Sequence, residues 1–203
     1  MEYIYSLVLF TIASSATPGP NNILVMTSGV NFGVKKSLPV FCGICVGFAL
    51  MLLLVGIGFG QIFEVFPNLN TMIKIVGVGY LLYLAWIIAG SSNSFKSKEQ
   101  QKPLTFLNGA LFQWVNAKAW IVATGAVAAF TTSGDEHLVQ VALVASTFLV
   151  LSFPSVGIWL IFGSWLKKYL NTKANQKVFN LTMASLLIIS VLPVLGELIE
   201  KFT

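Results

Sequence analysis

Thr17-Pro18-Gly19-Pro20-Asn21-Asn22 interrupts an apolar run that extends from Tyr3 to Val30. Two prolines and a glycine end a helix, since proline brings no N–H and glycine loses the most freedom on ordering. In water such a stretch would be a loop. Here both flanks, Tyr3 to Ala16 and Ile23 to Val30, are too apolar for solvent, so the break sits at membrane depth. Lipid cannot satisfy freed N–H and C=O groups, and broken backbone is tolerated there only inside protein or along a polar cavity. Pro18 and Pro20 leave upstream carbonyls without partners, Gly19 exposes backbone, and Asn21 and Asn22 add amide donors and acceptors. Two readings stay open. The break is a binding site for a small polar solute, or it is a proline kink whose freed groups are met by neighbouring helices or by Ser14 and Ser15.

The whole composition fits that depth. Of 203 residues, 56% are hydrophobic and 9% charged, with a mean hydropathy of +0.84, which excludes an ordinary soluble domain and disorder alike. The net charge of +5 and pI near 9.3 would suggest nucleic acid in a soluble chain. Here the lysines fall between apolar runs, so they report topology rather than a polyanion partner. Met1-Glu2 offers no basic leader and the first run is too long for a signal core, so no cleaved signal peptide is expected.

Spans of about 20 residues can be drawn at Tyr3–Val30, Leu38–Phe63, Met72–Ala89, Thr105–Phe130, Leu138–Trp165 and Val178–Ile199. The expected fold is an all-α membrane protein of six transmembrane helices, with Pro154 kinking the fifth. Lysines alternate along the linkers: Lys35 and Lys36, then Glu64 alone, then Lys96, Lys98 and Lys102, then Asp135 and Glu136, then Lys167, Lys168, Lys173 and Lys177. The positive-inside rule places both termini outside the cytoplasmic membrane. The polar linker Ser91–Pro103 divides a single polytopic domain, residues 1–203, into a first repeat of about 1–90 and a second of about 105–203. Three crossings per half mean that homologous halves sit inverted (3+3). A shift of 97 positions pairs Pro20-Asn21 with Ala117-Lys118, and a shift of 101 pairs Val55-Gly56-Ile57 with Val156-Gly157-Ile158. Interrupted or polar segments at corresponding places of inverted halves point to a transport site.

The second such segment is Gln113-Trp114-Val115-Asn116-Ala117-Lys118-Ala119-Trp120, inside the fourth run. The other lysines lie in linkers or at run ends, whereas Lys118 has apolar sequence on both sides. An ammonium at that depth costs about 2.5 kcal/mol or more. Either it faces a cavity as counter-ion to a substrate carboxylate, or it snorkels to an interface because its helix begins later than drawn. The spacings Gly43/Gly47 and Gly56/Gly60 permit close helix approach within the chain, with a homodimer seam as the alternative. The five tryptophans include interface anchors, and His137, beside Asp135 and Glu136, reads as a solvated loop residue. The chain has no phosphate-binding loop for ATP-driven transport, no metal-ligand set, and too few histidines for a Ser-His-Asp site. The residues therefore indicate neither an enzyme nor a cofactor.

With T-P-G-P-N-N in the first run and Q-W-V-N-A-K-A-W in the fourth, the chain resembles the lysine-exporter superfamily, the LysE/RhtB amino-acid translocators, nearly end to end. Within it, T-P-G-P-N-N-I-L with Q-x-V-N-x-K is most similar to the cysteine/O-acetylserine exporter group. The resemblance implies efflux of amino acids or derivatives across the cytoplasmic membrane, driven by the proton-motive force, with roles for Pro18, Gly19, Pro20, Asn21, Asn116 and Lys118. Many members carry Asn-Pro-Lys where this chain has Asn116, Ala117 and Lys118, so the second break is expected to be softer. No carboxylate lies in mid-run to meet a basic side chain, which favours a neutral zwitterion as substrate. Competing readings are thiol-redox transfer through Cys42 and Cys45, and a scaffold or channel-like subunit without coupled transport.

Overall fold

The computed structural model describes residues 1–58, 67–90, 102–170 and 172–202. Among these residues there are eight helices and no strands: α1 (Glu2–Ala16), α2 (Pro20–Phe32), α3 (Val34–Gly56), α4 (Pro67–Gly90), α5 (Phe106–Val115), α6 (Ala117–Phe130), α7 (His137–Leu166) and α8 (Lys173–Phe202). Two of the six apolar runs are thus split, the first into α1 and α2 and the fourth into α5 and α6. Four helices are long and apolar enough to cross a membrane: Val34–Gly56, Thr71–Gly90, His137–Leu166 and Lys173–Glu200. Leu9, Trp86, Ile121 and Ile158 belong to a broad set of large apolar side chains that face outward, as lipid contact requires.

The two breaks share a register. Pro20 and Ala117, the first residues of α2 and α6, stand 97 positions apart, the shift that aligns the two polar motifs. Proline is well placed at the start of α2, where its missing N–H costs nothing. By contrast, α3, α7 and α8 continue through Pro39, Pro154 and Pro193. The linker expected to carry Lys35 and Lys36 is a single residue. Gly33, at φ 78°, joins α2 directly to α3 in a conformation that glycine adopts without strain, and Lys35 and Lys36 lie exposed on the first turn of α3. Most of Ser91–Pro103, together with Gly60 and Glu64, lies outside the described residues.

Apolar helices gain nothing from hydrophobic exclusion inside lipid, so their contacts depend on small residues that let backbones approach. Two seams follow that rule. Across α3 and α5, a Cβ on Gly43 would stand 2.0 Å from the Phe106 carbonyl oxygen, and one on Gly109 would stand 2.3 Å from that of Val40. Across α2 and α7, a Cβ on Gly29 would lie 2.6 Å from Leu160 O, and one on Gly163 would lie 2.2 Å from Met26 O. Gly47 meets Ala110 of α5 in the same way, so Gly43 and Gly47 serve packing within the chain. Elsewhere α4 lies along α8, while α6 leans on α3 and α7 and away from α4 and α8. One core forms where α2, α3, α4, α7 and α8 meet around Leu24, Ile44, Leu84, Leu160 and Leu187. A second joins α1, α3, α6 and α7 around Leu7, Leu52, Ala123 and Phe148.

Candidate functional site

The first break exposes the carbonyls of Ser15, Ala16 and Thr17, and side chains from three directions take them up. Asn22 Nδ2 donates to Ser15 O and Thr17 O, each at 2.9 Å. Trp159 Nε1 of α7 donates to Ala16 O at 3.1 Å, and Lys118 Nζ of α6 donates to Thr17 O at 2.9 Å. Ser14 bonds within its own turn, to Thr11 O at 3.1 Å, so Ser14 plays no part in meeting the break. The second break is one residue wide. Asn116, extended at φ −89° and ψ 103°, accepts Lys118 N on its own Oδ1 at 3.1 Å and so caps α6. Trp120 Nε1 covers the freed Trp114 carbonyl at 2.9 Å. Two of the five tryptophans therefore serve the helix breaks, a use that an interface-anchor reading misses.

An amide cluster ties the breaks together. Asn21 and Gln113 bond reciprocally, Nδ2 to Oε1 at 2.9 Å and Nε2 to Oδ1 at 3.0 Å, and Asn116 Nδ2 adds a third bond to Asn21 Oδ1 at 3.2 Å. Gln113 Nε2 also reaches Gly109 O at 3.0 Å. Gln113 and Asn116 are almost fully buried, where an amide is retained only if its partners are supplied.

In front of this cluster is a cavity of about 40 Å³ lined by Gly19, Asn21, Asn22, Asn116 and Lys118. Of the residues singled out in the sequence, Pro18, Pro20 and Gln113 do not line it. The prolines shape the break, and Gln113 holds Asn21 from behind. Lys118 stands as required of a lysine facing a cavity, with its ammonium on a carbonyl of the opposite break. Gly19 makes that reach feasible, since a Cβ there would lie 2.9 Å from Lys118 Cδ and 3.2 Å from Nζ. Asn22 is 2% exposed, and its Oδ1 has no hydrogen-bond partner. The cavity thus holds an ammonium at its wall, while the unpartnered Oδ1 of Asn22 is buried beside it. Its remaining walls include Ser15, Cys45, Phe48, Phe148 and Ser152. Sequence reasoning passed over Ser152, Phe48 and Phe148, which sit in apolar runs and are brought here only by helix packing. Cys42 and Cys45 are free thiols, and Cys45 serves as a small wall residue.

His137 departs from expectation. It is half-buried rather than solvated, with Nδ1 3.1 Å from Thr132 O and Nε2 2.8 Å from Gly56 O, so it joins the end of α3 to the start of α7.

The profile of the LysE type translocator family matches residues 12–193. Among curated proteins, the chain is 29% identical to a cysteine/O-acetylserine efflux protein of Escherichia coli O139:H28 (strain E24377A / ETEC) over 180 residues, covering 88% of this chain and 90% of that one. Proteins of the same description from Escherichia coli (strain K12) and Shigella flexneri serotype 5b (strain 8401) are 28% identical over the same shares. No solved structure matches. A family match across nearly the whole chain, over helices apolar enough for a bilayer, makes this membrane protein a member of the LysE type translocator family.

Proposed function

We propose that the protein is a secondary transporter that exports small neutral amino acids or derivatives, of the cysteine and O-acetylserine kind, across the cytoplasmic membrane. The observation that carries this reading is the Lys118 ammonium, held by Thr17 O beside a cavity that no carboxylate lines. A zwitterion gives its carboxylate to Lys118, and opening of the cavity brings the buried, unpartnered Oδ1 of Asn22 within reach of its ammonium. The notion that carbonyls freed by the prolines receive the ammonium needs amending, because protein donors already occupy those of Ser15, Ala16 and Thr17. At about 40 Å³ the cavity takes about three waters rather than an amino acid, so loading requires expansion. Alternating access supplies it, with two inverted three-helix repeats, both termini outside, and protons as the coupling ion. The neutral class is supported by the absence of any carboxylate among the cavity walls.

Efflux from proteoliposomes against a panel of amino acids, with and without a pH gradient, is the test. Gradient-stimulated efflux of small neutral substrates and little efflux of lysine is the expected result. Equal rates for lysine and cysteine would overturn the substrate class, and gradient-independent rates would overturn the coupling.

A further inference from the structure

A second and larger cavity, about 280 Å³, plays no part in the function proposed above. It arises from the second break. Up to Val115 the helix packs on α4, where Gly77 is so close that a Cβ on it would lie 2.9 Å from Val115 Cβ. Beyond Asn116 the chain leans away as α6, and a wedge opens between α6 and the α4–α8 pair. Val78 and Leu81 of α4, Ile121 of α6 and Val194 of α8 supply apolar walls.

Lys74 and Glu197, from α4 and α8, lie in the same cavity and form an ion pair. Lys74 lies seven residues after the first residue of α4, Pro67, and Glu197 five residues before the last of α8, Phe202. Their side chains are 35% and 59% exposed, so the pair sits at the mouth. An exposed pair of this kind contributes little to stability and opens readily to other charges. The mouth faces sideways: Ile121, a wall of the cavity, is 71% exposed, and Ile75 and Val76 of α4 and Leu192 of α8 are exposed as well. That outward apolar belt is where lipid lies, so the opening admits a molecule arriving from the bilayer rather than one dissolved in water.

We infer that this cavity binds a phospholipid with a zwitterionic, amine-bearing headgroup. The phosphate approaches Lys74 and the terminal ammonium approaches Glu197, while an acyl chain follows Val78, Leu81 and Ile121 inward. Lys74 to Leu81 is two helical turns, about 10 Å of depth, which suits the upper part of a chain whose headgroup remains at the interface. A headgroup lacking the cation leaves Glu197 facing a phosphate, and a headgroup lacking the anion leaves Lys74 without its partner.

The test is thermal unfolding of the full chain in detergent, titrated with phosphatidylethanolamine or phosphatidylglycerol. A ligand of the folded state raises the midpoint by mass action, so phosphatidylethanolamine is expected to raise it by several degrees and phosphatidylglycerol by much less. Lys74→Gln removes the response. The exchange Lys74→Glu with Glu197→Lys keeps an ion pair, and with it the unliganded midpoint, but presents the two charges in the wrong order and also loses the response. Equal responses to the two lipids, or an undiminished response in the exchanged protein, overturn the inference. So does stabilisation by free cysteine that Lys74→Gln abolishes and Lys118→Met preserves, which would make the cavity a second substrate site. None of these readouts depends on transport.

Discussion

The two helix breaks solve the same problem in opposite ways. The second is self-contained: Asn116 caps α6 with its own side chain and Trp120 covers the carbonyl of Trp114, six positions back. The first is built by Pro18, Gly19 and Pro20, and outside help is needed from Lys118 of α6 and Trp159 of α7. A break that satisfies itself is a structural element, whereas one that borrows its donors depends on the helices that lend them. The difference ties the first break to the positions of α6 and α7.

Removing the borrowed charge should have the largest effect. Lys118→Met is expected to insert and fold yet lower efflux at least about tenfold, equivalent to ~1.4 kcal/mol or more of lost interaction. Lys118→Arg recovers part, because a planar guanidinium replaces a point charge. Wild-type efflux by well-expressed Lys118→Met in proteoliposomes would show that the two breaks do not cooperate in this way.

Next in size is Asn22→Ala, which takes the donor from Ser15 O and one of the donors from Thr17 O. Leaving a buried carbonyl unmet costs about 1–3 kcal/mol, and the midpoint of thermal unfolding should fall while efflux also weakens. An unchanged midpoint would mean that the first break, like the second, can satisfy itself.

Gly19→Ala separates site from scaffold. Gly19 is extended, at φ −177° and ψ 179°, a backbone that alanine adopts freely, and its new Cβ would press on the Lys118 stem. Stability should stay within about 0.5 kcal/mol, while efflux drops several-fold as the ammonium leaves Thr17 O. Unaltered efflux would show that this contact is dispensable.

The smallest effect is expected from Ala117→Pro. Position 117 opens α6, where proline's missing N–H costs nothing, and Asn116 already has the extended backbone that a following proline demands. Midpoint and efflux should match wild type, and a protein that fails to fold would show that the second break has a different geometry.

What could be read from the sequence was set by local chemistry. Pro18-Gly19-Pro20 announces a break because no partner alters what proline lacks, and Lys118 announces a cavity because a charge in an apolar run has few alternatives. The second break was expected to be soft without its proline, yet it is complete, since Asn116 alone caps and turns the chain. Tertiary placement was hidden. Trp159 lies 143 positions from the carbonyl it serves, and Ser152 and Phe148 reach the cavity only because α7 packs on both α2 and α3. His137 looked solvated because its neighbours are charged, while the carbonyl of Gly56 that claims it is 81 positions away.

The glycine seams bear on how the molecule moves. Where backbone rests on backbone, no side chain can change rotamer to absorb sliding, so α2 with α7, and α5 with α3, travel as stiff bodies. Among the described residues no glycine seam of this kind involves α1 or α6, whose Gly125 meets no atom within 4 Å. Each break therefore separates a clamped half-helix from a looser one and can act as a hinge, on the microsecond-to-millisecond scale of such motions. Amide hydrogen exchange should then run slower in α2 and α5 than in α1 and α6, and equal protection across the breaks would dissolve that division of labour.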